Sequence, residues 1–167
     1  LFGMTSSERR VLEQQLTGSR EITTRERVGL EAMLFESSEL TQLPTSVLEL
    51  IRTIHKLNEN TDAGFRRLNV PALLLRYFSD MREVFMNVAK VLSPTGEIFV
   101  VIGDNQTIAG GQTVAIRTTE LLKDIGEQCG FICVEGIPIS VTTENLRHIR
   151  HAITENTVLR FRLVKTL

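Results

Sequence analysis

No apolar run in the 167 residues approaches the roughly 20 needed to span a bilayer, and no stretch has the charged, apolar and small-residue order of a secretory signal peptide. A cytoplasmic location is the resulting expectation. Charge of one sign is also lacking: 19 Lys and Arg against 20 Asp and Glu give a formal net charge of -1. A global field attracting nucleic acid is therefore excluded, and any such contact must come from a local patch. Cysteine is scarce. Cys129 and Cys133 are not spaced as C-x-x-C, and both stand among apolar neighbours. They read as buried free thiols in a reducing compartment, and no zinc pattern is present. Proline is scarce as well, and no two of Pro44, Pro71, Pro94 and Pro138 are adjacent. The first residue is Leu1, as expected of a piece of a longer protein.

What is there divides near residue 65. Residues 1–65 are polar, rich in Thr, Ser, Glu and Arg, and carry short helical patterns. Ser7 is placed to cap a helix through Leu16, with Glu8 in its first turn. Pro44 is placed to open another, after a cap at or near Leu43. Its stripe is Val47, Leu48, Ile51, Ile54 and Leu57. Thr17 to Glu39 shows no clear period and reads as a loop or mobile excursion.

Residues 66–167 hold the stronger signals. Leu74, Phe78, Met81, Phe85, Val88 and Leu92 recur at spacings of four and three behind Pro71, with Tyr77, Val84 and Val91 widening the stripe. This predicts one long helix with a single buried face. Ser93-Pro94-Thr95-Gly96 stops it. Ile98 to Ile102 is an unbroken apolar run, expected as a strand covered on both faces in a parallel sheet. Gly103-Asp104-Asn105 ends it, and Gln106 to Thr113, with Gly110-Gly111, is expected to be a flexible loop. A second helix is predicted over Thr118 to Cys129, ended by Gly130. Phe131 to Val134 is the next strand. Thr157 to Val164 alternates Leu159, Phe161 and Leu163 with Arg160 and Arg162, the pattern of an antiparallel strand near an edge. The order is half of an open, doubly wound α/β sheet.

Tyr77-Phe78-Ser79-Asp80-Met81, Val91-Leu92-Ser93-Pro94-Thr95-Gly96, Val100-Val101-Ile102-Gly103-Asp104-Asn105, Leu121-Leu122-Lys123-Asp124-Ile125 and Gly130-Phe131 together resemble the second half of the amino-directed DNA methyltransferases. The tail Arg147…Arg150…Glu155…Val158-Leu159 is similar to the DNA-directed branch, and Leu1-Phe2-Gly3 and Leu16-Thr17-Gly18-Ser19 resemble the segment after the catalytic motif. The resemblance covers about residues 72–163. It implies a partial Rossmann-like fold, the C-terminal half of a doubly wound, mostly parallel sheet with a terminal antiparallel strand. It also implies S-adenosylmethionine as cofactor, DNA as partner, and methyl transfer to the exocyclic amine of adenine or cytosine in a restriction–modification setting. Residues 1–65 would then include a DNA-contacting excursion.

Two departures bear on activity. The family's Gly-rich cofactor turn has no counterpart, since no G-x-G occurs here, and neither does its Pro-Pro-aromatic catalytic motif. The chain is accordingly expected to be inactive alone. Its missing N-terminal half, or a complementary subunit, would supply the chemistry, and self-association into a homo-oligomer is a further expectation.

The candidates are Asp104, Asn105 and Thr113 for a substrate pocket, and Arg147 and Arg150 for DNA phosphates. Asp104 and Asn105 lie where open α/β sheets place ligands, and where an extruded base would enter; they equally suit a plain turn. Arg147 and Arg150 sit beside His148 and His151 in a basic segment that suits phosphate or solvent. His148 and His151 have no third ligand, so no metal site is expected. Two other functions remain open: a methyltransferase for RNA or a small molecule, and a non-catalytic Rossmann-like binding or assembly subunit.

Overall fold

A computed structural model describes residues 3–36, 42–59, 61–140 and 155–164. The chain divides into two compact units, residues 1–81 with 109–111, and residues 82–108 with 112–167.

The first unit is helical. Helix α1 (Ser6–Gln15) and helix α2 (Thr24–Glu36) each begin with a capping box. The Thr5 hydroxyl accepts the Glu8 N–H while the Glu8 carboxylate accepts the Thr5 N–H, and Thr23 and Glu26 repeat the exchange. The cap is thus Thr5 rather than Ser7, and α2 occupies a segment expected to be a loop. Its apolar residues do not fall on one face, which erased the periodic signal. Leu34 is buried, whereas Val28, Met33 and Phe35 are exposed. Arg52 donates to the Leu34 carbonyl, satisfying one free acceptor near the end of α2.

Helix α3 (Thr45–Glu59) starts at Pro44, whose carbonyl accepts the N–H groups of Val47 and Leu48. Of the predicted stripe, Val47, Leu48, Ile51 and Ile54 are buried and Leu57 is half-buried, while Asn58 is buried as well. A short helix α4 (Phe65–Leu68) precedes α5 (Val70–Val91), which carries Pro71 in its first turn and whose residues from Arg82 on belong to the second unit. Ala72, Leu75, Phe78 and Phe85 of α5 are buried, while Leu74, Met81 and Val88 are half-buried. Val84 and Val91 do not join the stripe; Val91 is 83% exposed.

The second unit holds the sheet. Strand β1 (Glu97–Ile102) follows the Ser93–Gly96 turn, in which the Gly96 N–H donates to the Ser93 carbonyl. Strands β2 (Asn105–Ala109) and β3 (Gln112–Ile116) form a two-stranded hairpin, whose residues 109–111 group with the first unit. Gly110 and Gly111 have φ of 57° and 78°, the pair of positive angles that a type I′ turn requires. The expected flexible loop is therefore a hairpin. Helix α6 (Thr118–Gln128) buries Thr118, Leu121, Leu122, Ile125 and Gly126, and Gly130 closes it at φ 86°. Strands β4 (Phe131–Ser140) and β5 (Glu155–Leu163) complete the chain.

The three-stranded sheet has the order β1-β5-β4, and both pairings are antiparallel. Among the described residues every strand pairing is antiparallel, and the expected parallel sheet is not seen. Strands β1 and β4 run in the same direction and are joined through α6, but β5 lies between them and pairs with both. Strand β5 is antiparallel as expected and lies between the two outer strands rather than at the edge of this sheet. Its wet-face arginines are matched by carboxylates on the flanking strands, so alternation here marks a central strand with one ion-paired face. On the other face Leu159 and Phe161 are buried, and Phe85 packs edge-on to Phe161 at 5.1 Å and against Phe131 at 5.5 Å. Strand β1 is not covered on both faces either: Phe99 is 58% and Val101 57% exposed.

Candidate functional site

Asp104 stands two residues beyond the end of β1, and Asn105 begins β2; both are exposed. The first-turn N–H groups of α6 have no side-chain acceptor at the cap residue, Arg117. Asp104 fills that role from 15 residues upstream. Its Oδ1 accepts the Thr119 N–H at 2.9 Å and the Thr119 hydroxyl at 2.8 Å. A carboxylate there is favoured by the partial positive charge of the helix start. The Asn105 Oδ1 accepts the N–H of Gln106 at 2.8 Å, which fixes the turn out of β1. Thr113 lies on β3 and is exposed.

The structure thus joins Asp104 to Thr119, a residue the sequence reading passed over, committing Asp104 Oδ1 to the start of α6 and Asn105 Oδ1 to the N–H of the next residue. The missed signal was Thr118-Thr119-Glu120 following a residue that cannot cap. A helix start of that kind needs an acceptor from elsewhere. Arg147, Arg150, His148 and His151 lie outside the described residues.

A second cluster lies on the open face of the sheet. Arg160 reaches Glu135 at 3.3 Å and Glu97 at 3.7 Å, and Arg162 reaches Glu97 at 3.0 Å. Two of the cations in the basic C-terminal segment are thereby neutralised across strands. Around them Phe99, Val101, Ile132 and Ile137 are exposed apolar side chains.

Neither cysteine is fully buried, unlike the expectation. Cys129 is half-buried, with its S–H directed at the Arg82 carbonyl at 3.8 Å, and burial pushes its thiol pKa up. A thiol held protonated is a poor nucleophile. Cys133 is half-buried on β4. In the first unit Glu26, Gly29, Leu30, Met33 and Arg76 line an open groove. Arg76 is engaged there, donating to the carbonyls of Ser19 at 2.6 Å and Glu21 at 3.0 Å. Among the described residues, no group of three or more His, Cys, Asp or Glu side chains could hold a metal ion, and no helix is long and apolar enough to cross a membrane.

The residues present do not by themselves fit S-adenosylmethionine. Asp104 is committed to α6, Asn105 to its own turn, and the sequence contains no G-x-G.

No family model and no curated protein matches the chain. Two solved structures of one protein, a candidate DNA modification methylase of Thermus thermophilus, are similar to it. The selenomethionine derivative has a TM-score of 0.43 and the complex with S-adenosyl-L-methionine 0.44, each at 17% identity. Each match covers 53% of this chain and 37% of that one, so the likeness spans little more than a third of the other protein's length.

Proposed function

We propose that this chain is the C-terminal segment of an S-adenosylmethionine-dependent DNA methyltransferase that modifies the exocyclic amine of adenine or cytosine. The observation that carries the reading is the continuous block α5, Ser93-Pro94-Thr95-Gly96 turn, β1, Gly103-Asp104-Asn105, where the resembling residues fall on the elements the resemblance implies. The β1–α6–β4 connection with a terminal antiparallel strand supports the same reading.

In this reading the chain provides scaffold rather than chemistry. The Asp104–Thr119 contact ties the end of β1 to the start of α6. Asn105 is thereby held just outside the carboxyl end of β1, beside any base brought there. S-adenosylmethionine would supply the methyl group, from a site built on residues beyond those described here. Arg147 and Arg150 would add sequence-independent affinity for the DNA backbone.

The test has two parts. The reading frame upstream of Leu1 should encode a Gly-rich turn after a strand, and an Asp, Asn or Ser followed by Pro-Pro and an aromatic residue. The protein from that longer frame should then move labelled methyl groups from S-adenosylmethionine to DNA, recovered as N6-methyladenine or N4-methylcytosine after digestion to nucleosides. A longer frame without those motifs, or a product inactive on DNA, overturns the reading.

A non-catalytic assembly subunit is the second reading. The observation favouring it is that Asp104 and Asn105 both serve local structure.

A further inference from the structure

Strands β2 and β3 form a sheet of their own, separate from the one that holds β1. From Asn105 to Ile116 they and their turn contain no Asp, Glu, Lys or Arg. The two-residue Gly110-Gly111 turn sets Ile108 opposite Thr113 and Gln106 opposite Ala115. Burial alternates along both strands. Ala109 and Ile116 are buried and Thr107 and Val114 half-buried, whereas Gln106, Ile108, Thr113 and Ala115 are exposed. One face of the hairpin is therefore covered. The other presents a single carboxamide among methyl-bearing side chains.

The backbone that carries Gln106 is held in place. Asp104 is tied to Thr119, and the Asn105 Oδ1 accepts the Gln106 N–H at 2.8 Å. The Gln106 carboxamide makes no hydrogen bond among the described residues. A fixed backbone with an uncommitted carboxamide is the arrangement that base recognition needs, because a bidentate contact tolerates little displacement. The chemistry of the face narrows the base. Guanine is read by Arg or Lys and cytosine by Asp or Glu, and this face has none of them. Adenine is read by Gln or Asn, and the methyl group of its thymine partner by apolar contact.

We propose that Gln106 determines specificity by reading the adenine of an A·T pair beside the target base, in the major groove. Its Nε2 donates to adenine N7 and its Oε1 accepts from the adenine N6 amine, while Ile108 and Ala115 meet the thymine methyl group. The major groove is wide enough for a two-stranded ribbon. Successive residues of a strand face opposite ways, so Gln106 points away from Asn105. The base it reads is thus one that stays paired, not the one that receives the methyl group. The inference rests on the methyl-transfer reading for its DNA and deepens it by naming a sequence contact.

A duplex library randomised over the site, incubated with the protein from the longer frame, tests it. Bound molecules and methylated molecules are sequenced separately. The parent should prefer adenine over the other three bases at one position outside the target base, by roughly tenfold in both sets. Gln106→Ala should lose that preference, and Gln106→Glu should move it to cytosine, whose N4 amine donates to a carboxylate. Gln112→Ala, on the same hairpin but on the face of Val114 and Ile116, should keep it. Circular dichroism checks that the variants fold. A preference present in the parent and lost in Gln106→Ala among bound molecules, without methyl transfer, supports the contact and overturns the methyl-transfer reading alone. Absent or unselective binding, a preference that survives Gln106→Ala, or one lost equally in Gln112→Ala, overturns the contact. So does methylation with the same neighbouring preference in every variant, which leaves the methyl-transfer reading standing.

Discussion

The carboxylate of Asp104 accepts both the N–H and the hydroxyl of Thr119, at 2.9 and 2.8 Å, and so ties the end of β1 to the start of α6. Removing it as Asp104→Ala leaves the first turn of α6 without this acceptor and should cost about 1 kcal/mol, the usual worth of an N-terminal cap. Asp104→Asn keeps an acceptor and should cost less. Chemical denaturation of the three proteins checks the order. A stability equal to the parent's in Asp104→Ala would make the contact incidental.

Gly126 of α6 faces the ring of Phe161, whose Cε1 lies 2.8 Å from where a Cβ would stand. Alanine normally favours a helix over glycine by about 1 kcal/mol. Here Phe161 is fully buried against Phe85 and cannot swing aside. Overpacking costs typically about 1–3 kcal/mol, so the clash should win and Gly126→Ala should lower Tm by several degrees. A raised Tm would mean that the ring yields.

Glu8 and Glu26 each have a pKa held below the ordinary carboxylate value. For Glu8 the Thr5 backbone N–H is the main cause and for Glu26 the Thr23 hydroxyl, with the other group of each threonine second. A depressed folded-state pKa stabilises the helix starts above the unfolded value, near 4.5, and that contribution disappears as pH falls through the folded value. The amides of the first turns of α1 and α2 should therefore lose hydrogen-exchange protection as pH falls below 4.5, after correction for intrinsic rates. Glu8→Gln and Glu26→Gln should flatten the profile at their own helix. A profile unchanged by either substitution counts against the capping boxes.

The elements read correctly from sequence were those written in one local stretch: the α3 stripe, α5 behind Pro71, and α6 ending at Gly130. Helix α2 was missed because Val28, Met33, Leu34 and Phe35 do not share a face, although Thr23-x-x-Glu26 carried a capping signature. The hairpin was missed although Gly110-Gly111 between two short strands is a two-residue turn signal. The sheet was misread for a different reason. Which strand lies between β1 and β4 is a nonlocal fact, and an apolar run such as Ile98–Ile102 reads the same whether it is covered, half-covered or at an edge. The candidate site followed the same division. Asp104 was found by its place after a strand, but its partner Thr119, 15 residues away, was not.

The last prediction separates the arginines. Arg160 and Arg162 are held by Glu97 and Glu135, so their charge is already compensated within the sheet. If the longer protein binds DNA, replacing either with alanine should leave the salt dependence of binding unchanged. Arg147 and Arg150, which lie outside the described residues, are the proposed phosphate contacts. Alanine there should weaken cognate and random duplexes about equally and reduce the slope of log K against log salt by roughly one unit per lost contact. Asn105→Ala should behave differently, lowering kcat more than affinity, because it would act beside the base rather than on the backbone. Fluorescence anisotropy across a salt series, with single-turnover methylation alongside, distinguishes the three classes. An unchanged slope in the Arg147 and Arg150 variants would remove the phosphate role, and a loss of slope in Arg160→Ala would mean that its ion pairs open to bind DNA.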